Sequence, residues 1–235
     1  MIRHIALSAI AAAFTFSATP AAAQDMGLTP AVETVDSTNA QTRQLPIRVN
    51  FDVQEDRENI LLLDLSTGER VAIRLVPEWA PNHVERIKML ARDGFYNGVP
   101  FHRVIDGFMA QTGDPTGTGQ GGSTLPDLEE EFNMLPHVRG TVSMARADSE
   151  DSANSQFFIV FYPRFALDRR YTNFGRVISN MGAVDAIQRG EPPSNPTRIL
   201  QASIASDNVP QMMPNASTPP SEIITADMLN ASSGE

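Results

Sequence analysis

FHRVIDGFMAQTGD, residues 101–114, decides how this chain is read. Val104-Ile105 and Phe108-Met109-Ala110 are short apolar runs, and Asp106-Gly107 stands between them. An Asp-Gly pair flanked in this way predicts a β-hairpin, because the tight turn needs a residue that accepts positive φ. Side chains alternate between the faces of a strand, so Arg103 and Gln111 can share one face with Phe108 or Met109 beside them. That face forms a small apolar pocket with a guanidinium at its edge. No Ser, Cys, Lys or carboxylate in the segment is positioned as a nucleophile.

The rest of the chain continues the pattern. Residues 59–65 are apolar enough for a buried strand, Thr67-Gly68 turns the chain back, and Val71, Ile73 and Leu75 alternate as a half-buried strand. Residues 101–105, 108–112, 141–145, 156–161 and 199–204 read as further strands. A first helix is expected over 80–93, with Pro81 in its first turn, Val84, Ile87, Leu90 and Ala91 on one face, and Gly94 ending it. A second is expected over 181–189, closed by Gly190 and stopped by Pro192-Pro193. Many short strands with two helices predict a mainly β fold, a closed barrel rather than a parallel sheet.

The chain has 235 residues, enough for one large domain or two small ones. The absence of cysteine excludes disulfides, thiolate catalysis and Cys-based metal sites. A formal charge of −10 argues against nucleic acid and anionic membrane as partners. Lys88 is the single lysine, which makes a Schiff base or a phosphate-binding lysine a poor expectation.

At the N-terminus, Arg3 and His4 precede an apolar stretch, 5–16, that is too short to span a bilayer. Ala21-Ala22-Ala23 then offers small residues to a signal peptidase just before Gln24. Residues 1–23 therefore read as a signal peptide and 24–44, rich in Thr, Ala and Asn without a period, as a flexible linker. Residues 45–206 read as the folded domain and 207–235, rich in Pro, Ser, Asn and Met, as a disordered or loosely packed tail. The expected location is periplasmic or secreted, with no integral membrane association after signal removal.

Three other patterns lead nowhere. Gly117, Gly119 and Gly122 satisfy G-x-G-x-x-G, but Pro126 spoils the helix that a dinucleotide loop must open into, so a close-packed surface loop is expected. The acidic runs 129–131 and 148–151 lack calcium-loop spacing and read as a solvated face. His83, expected near the helix surface, and His102 and His137, without metal-type partners at i+4, read as structural, and no metal is expected. No G-x-S-x-G supports a serine hydrolase.

FHRVI (101–105) followed by GFMAQTGD (107–114) resembles the signature of cyclophilin-type peptidyl-prolyl cis–trans isomerases. GTVSMA (140–145), NSQFFI (154–159) and FGRV (174–177) extend the resemblance in the family's order, from about residue 59 to 204. It implies an eight-stranded antiparallel barrel closed by two helices, no cofactor, a monomer, and proline-containing segments of unfolded or partly folded proteins as partners. Arg103 then matches the catalytic arginine. Phe108, Met109, Phe158 and Leu167 match the walls of the proline pocket, with Ile105 at its margin. Gln111 matches the amide that holds substrate backbone, and Ala145 a strand-edge contact.

Three positions depart from the eukaryotic pattern of the family. Arg146 stands where Asn is frequent, Tyr171 replaces a His, and Ala166 stands where many members carry the Trp that supports cyclosporin binding. The implied chemistry needs no covalent step, only tighter binding of the twisted amide than of either planar form. The alternative function is a non-catalytic proline-peptide-binding chaperone or scaffold module, which has no use for a guanidinium at the amide nitrogen.

Overall fold

The structure, a computed structural model, describes residues 48–215. The segments read as signal peptide and linker, and the tail beyond residue 215, lie outside the described residues. The strands are β1 (Ile60–Leu65), β2 (Arg70–Leu75), β3 (Arg103–Ile105), β4 (Met109–Thr112), β5 (Thr141–Met144), β6 (Phe157–Val160), β7 (Asn173–Ser179) and β8 (Ile199–Ile204). All pair antiparallel in one sheet of order β3-β4-β6-β5-β7-β2-β1-β8.

The expected closed barrel needs correcting. The end strands β3 and β8 share no ladder, and the sheet is a curled half-barrel. The reason lies at β3, whose outer edge is already occupied: Val104 exchanges backbone hydrogen bonds of 2.8 and 2.9 Å with Gly190. An edge strand so short, satisfied by a loop, offers β8 nothing to pair with. The approach to β3 bridges the gap instead. Pro100 pairs with Arg198, the Phe101 N–H donates to the Thr197 carbonyl (2.8 Å), and the Ile199 N–H donates to the Val99 carbonyl (2.9 Å).

β7 is a strand that hydrophobic patterning misses, because Asn173, Gly175 and Arg176 interrupt its apolar run. Gly175 is there for close approach: a Cβ at that position would lie 2.6 Å from the Arg74 carbonyl on β2. β2 is buried on both faces rather than half-buried, with Ala72 and Arg74 only 5% and 3% exposed. The Arg74 guanidinium is covered by the segment before β1, donating to the carbonyls of Asn50, Asp52, Glu55 and Asp56.

Helix α1 (Pro81–Arg92) forms where expected and buries Val84, Ile87, Leu90 and Ala91 against the inner face of the sheet. His83 is buried, not near the surface. Its Nδ1 lies 2.6 Å from Glu131, whose carboxylate also accepts the backbone N–H groups of Asn82 and His83 at 3.1 Å each. Glu131 therefore leaves the acidic run to satisfy orphan donors at the helix N-terminus. Helix α2 (Met181–Asp185) is shorter than expected, five residues capped by the Asn180 side chain. It stops early because the Arg189 guanidinium takes the carbonyls of Asp185 and Ile187, and the Gln188 N–H donates to Thr197 Oγ1. Ala183, Val184 and Ile187 still reach the core.

The glycine-rich stretch is a close-packed loop organised by Asp114, which is fully buried. The Asp114 carboxylate accepts N–H groups of Thr116, Thr118, Gly119 and Gly121, and against the upward push of burial these bonds hold its pKa down at about 2. A Cβ on Gly121 would meet Asp114 Oδ1 at 2.1 Å. Past β8, the chain runs along the sheet end, where the Met212 N–H donates to Asp64 and Gln201 to the Pro210 carbonyl.

Candidate active site on the outer face of the sheet

The hairpin forms as its Asp-Gly pair requires, with Gly107 at φ 65° and the Phe108 N–H donating to the Ile105 carbonyl. Its register sets Arg103 opposite Gln111 and Ile105 opposite Met109. The next ladder sets Gln111 opposite Phe158 and Met109 opposite Val160, and Ser143 on β5 lies opposite Phe158. Alternation turns Val104, Ala110, Phe157 and Ile159 into the core, and presents this row on the opposite face.

An apolar cluster separate from the core results. Met109, Phe158 and Val160 are its buried centre, with Ile105, Phe108, Ala145, Leu167 and Tyr171 packed partly buried around them. Seven of the ten residues expected at the site thus form one patch. The other three, Arg103, Gln111 and Arg146, line a common groove beside it together with Glu191 and Pro192. A second depression along the groove runs past Gln111, Ala145, Arg146, Asn154 and Gln156 to the glycine-rich loop.

Each wall is braced. The Tyr171 ring meets Phe158 edge-on at 5.7 Å, and the Arg146 guanidinium lies over Tyr171, 4.9 Å from the ring centroid. The Arg164 guanidinium covers Phe108 at 5.3 Å and donates to the Gly107 carbonyl. Gln111 donates to Gln156 Oε1 at 2.9 Å, and Gln156 in turn donates to the carbonyls of Gly119 and Gly121, tying groove to loop. Arg103 is 42% exposed, its Nε 2.8 Å from Glu191 Oε2.

Beneath Phe158, the His137 ring stacks at 6.3 Å with Nδ1 2.8 Å from Asp168 and Nε2 2.9 Å from Ser143 Oγ. Burial pushes the His137 pKa below the usual histidine range, although Asp168 opposes the shift. In the neutral ring, Nδ1–H donates to the carboxylate and Nε2 accepts the Ser143 hydroxyl. The order Ser-His-Asp resembles a hydrolase relay, but Ser143 is fully buried and no substrate carbonyl can reach it. His137 and Ser143 instead anchor Asp168, and with it Leu167 in the turn Phe165–Leu167, to the sheet under the outer cluster. Sequence reading names His137 only as a structural histidine and does not reach Ser143, Asp168, Gln156 or Glu191. Their partners lie between 6 and 88 positions away, and no local pattern joins them.

An apolar cluster beside a partly exposed guanidinium and an amide can pack against a ring, hold peptide backbone and donate hydrogen bonds. Among the described residues, no group of His, Asp and Glu is arranged to hold a metal ion.

Comparison with known proteins agrees with this chemistry. The family profile described as cyclophilin type peptidyl-prolyl cis-trans isomerase/CLD matches residues 62–204. A probable peptidyl-prolyl cis-trans isomerase of Brucella suis is 48% identical over 168 residues, covering 65% of this chain and 85% of that protein. Peptidyl-prolyl cis-trans isomerase B of Bacillus subtilis is 41% identical over 128 residues, covering 54% and 89%. Among solved structures, cyclophilin AquaCyp293 from Hirschia baltica superposes with a TM-score of 0.61 at 30% identity, over 66% of this chain and 77% of that one. A Cryptosporidium parvum cyclophilin type isomerase, crystallised in the presence of the dipeptide Ala-Pro, gives 0.57 at 26% identity, over 62% and 98%. With its family profile matched over more than half its length, the chain belongs to the cyclophilin-type peptidyl-prolyl cis–trans isomerases.

Proposed function

We propose that this isomerase accelerates the folding of exported proteins, with Arg103 as its catalytic residue and the outer apolar cluster as its proline pocket. An X–Pro amide crosses a barrier of roughly 18–20 kcal/mol, with uncatalysed exchange over tens of seconds. As the bond twists, its nitrogen becomes pyramidal and gains a lone pair that neither planar form offers. A guanidinium N–H of Arg103 donates to that lone pair. A fixed donor aimed at density present only in the transition state lowers the barrier without tightening ground-state binding. Phe108, Met109, Phe158 and Leu167 grip the ring, with Ile105 at the margin. Gln111 and the strand edge at Ala145 hold the flanking backbone, and Tyr171 and Arg146 close the far side.

One observation carries the proposal: the β3–β4 register sets Arg103 directly across from Gln111 at the edge of the separate apolar cluster. The Cryptosporidium relative, whose structure was determined in the presence of Ala-Pro, supports a proline-containing ligand here. Protease-coupled turnover of a short proline peptide tests the activity: acceleration at micromolar protein supports catalysis, and binding without acceleration supports the scaffold alternative. Export rests on the signal-like residues 1–23. Intact-mass measurement on protein from its native cell envelope is expected to place the N-terminus at Gln24, and soluble cytosolic protein starting at Met1 would overturn it.

A further inference from the structure

We infer that Glu191 is a positioning residue for Arg103, a role that rests on the proposed catalytic role of that arginine. The contact uses the inner nitrogen. Glu191 Oε2 lies 2.8 Å from Arg103 Nε, so the bond restrains the side chain while the two terminal amino groups stay available to a substrate. A carboxylate taking both terminal groups would compete with the peptide; this one does not.

The carboxylate is also carried on a rigid mount. Gly190, immediately before it, exchanges both backbone hydrogen bonds with Val104, the neighbour of Arg103 on β3. Gly190 stands at φ 148°, and a Cβ there would lie 2.5 Å from the Pro193 Cα, so only glycine fits. Pro192 and Pro193 then stiffen the chain that follows. The loop that takes the edge of β3 thus delivers Glu191 to the guanidinium. Among the described residues, the hydrogen bond to Glu191 is the one that holds that group. Gln111 and Gln156, the amides beside it, are bonded to one another and to the glycine-rich loop.

Arg103 and Glu191 are 42% and 51% exposed, so the restraint is that of a surface pair and weakens as salt screens it. The test is steady-state turnover of an uncharged proline peptide by wild type, Glu191→Ala and Glu191→Gln, each checked for folding by thermal melt. Glu191→Ala is expected to lose about two- to fivefold in kcat with KM unchanged, the range a surface pair supplies. Glu191→Gln, which keeps an oxygen for the Nε–H, is expected to recover most of that loss. Raising salt from about 0.02 to 0.5 M should slow wild type toward Glu191→Ala while leaving that variant unmoved. Unchanged or faster turnover in Glu191→Ala, a change confined to KM, or failure of the Gln variant to recover overturns the role. Should Glu191→Ala not fold, the Gln variant and the salt series decide alone. A folded but inactive wild type would overturn the catalytic reading of Arg103, and this inference with it.

Discussion

Phe157 and Phe158 are neighbours on β6 and belong to different parts of the molecule. Phe157 is fully buried, meeting Tyr96 edge-on at 5.6 Å and Phe174 at 6.2 Å inside the sheet's curl. Phe158 faces the other way, between Tyr171 and His137, in the small cluster at the groove. Alternation along one strand supplies both. The inner face is covered by α1 and α2, while at the groove the outer face carries a small apolar cluster whose rim, Ile105, Phe108, Ala145, Leu167 and Tyr171, is only partly buried. An apolar patch left beside an open groove costs stability, and proteins keep one where something binds. Fold stability therefore belongs to the first face and the proposed substrate binding to the second.

The largest expected effects come from breaking that division at β6. Phe157→Ala should destabilise the domain by about 3–5 kcal/mol, measured by denaturant titration, while the fraction still folded turns over peptide at an unchanged kcat. Phe158→Ala, whose ring sits in the small outer cluster rather than in the main core, should cost less stability, yet raise KM for proline peptides severalfold. Equal stability losses with no change in KM would erase the distinction between the faces.

Acid sharpens the comparison from another side, because His137 underlies the outer cluster, His102 lines the groove and His83 sits at the start of α1. His83, His102 and His137 all have pKa values lowered by burial below the usual 6.5. The unfolded chain takes up their protons first, so their contribution is complete above about pH 6.5 and is lost as pH falls below it. Each can cost up to about 1.4 kcal/mol per pH unit until its own folded pKa is reached. The unfolding midpoint should begin to fall near pH 6.5. Glu58, Asp114, Glu131 and Asp207, all held below the usual carboxylate range, should add their loss only in stronger acid. A flat profile between pH 7 and 5 would contradict neutral burial of the histidines.

The smallest effect is expected at the rim. Ala166 is exposed in the turn that carries Leu167 and offers neither the area nor the N–H of an indole. Ala166→Trp should tighten cyclosporin binding by up to about tenfold, one hydrogen bond's worth, with short-peptide turnover little changed. Tight inhibition of the unmodified protein would contradict the weight given to that position.

Much of the inner face was legible in the sequence. The runs 60–65 and 199–204 and the hairpin announce themselves because apolar alternation and turn residues are local signals. β7 was not, since Gly175 is chosen by the backbone of β2 rather than by its own neighbours. The gap between β3 and β8 is not legible for a similar reason, as it depends on a loop 86 positions further on that takes the edge of β3. At the site, the residue types along β3, β4 and β6 are readable from spacing and from resemblance to the family. The braces are not: His137 with Ser143 and Asp168, and Glu191 with Arg103, are contacts that exist only after folding.

The most direct test of the central claim, that the outer face works through a guanidinium donor, is the turnover of Arg103→Ala against its peptide affinity. Removing one charge-assisted hydrogen bond, about 1.5–3 kcal/mol, should lower kcat/KM roughly ten- to 150-fold while the dissociation constant for a proline peptide hardly moves. Arg103→Lys should restore little, because an ammonium cannot reproduce the planar donor fork. Wild-type turnover in folded Arg103→Ala would contradict the account.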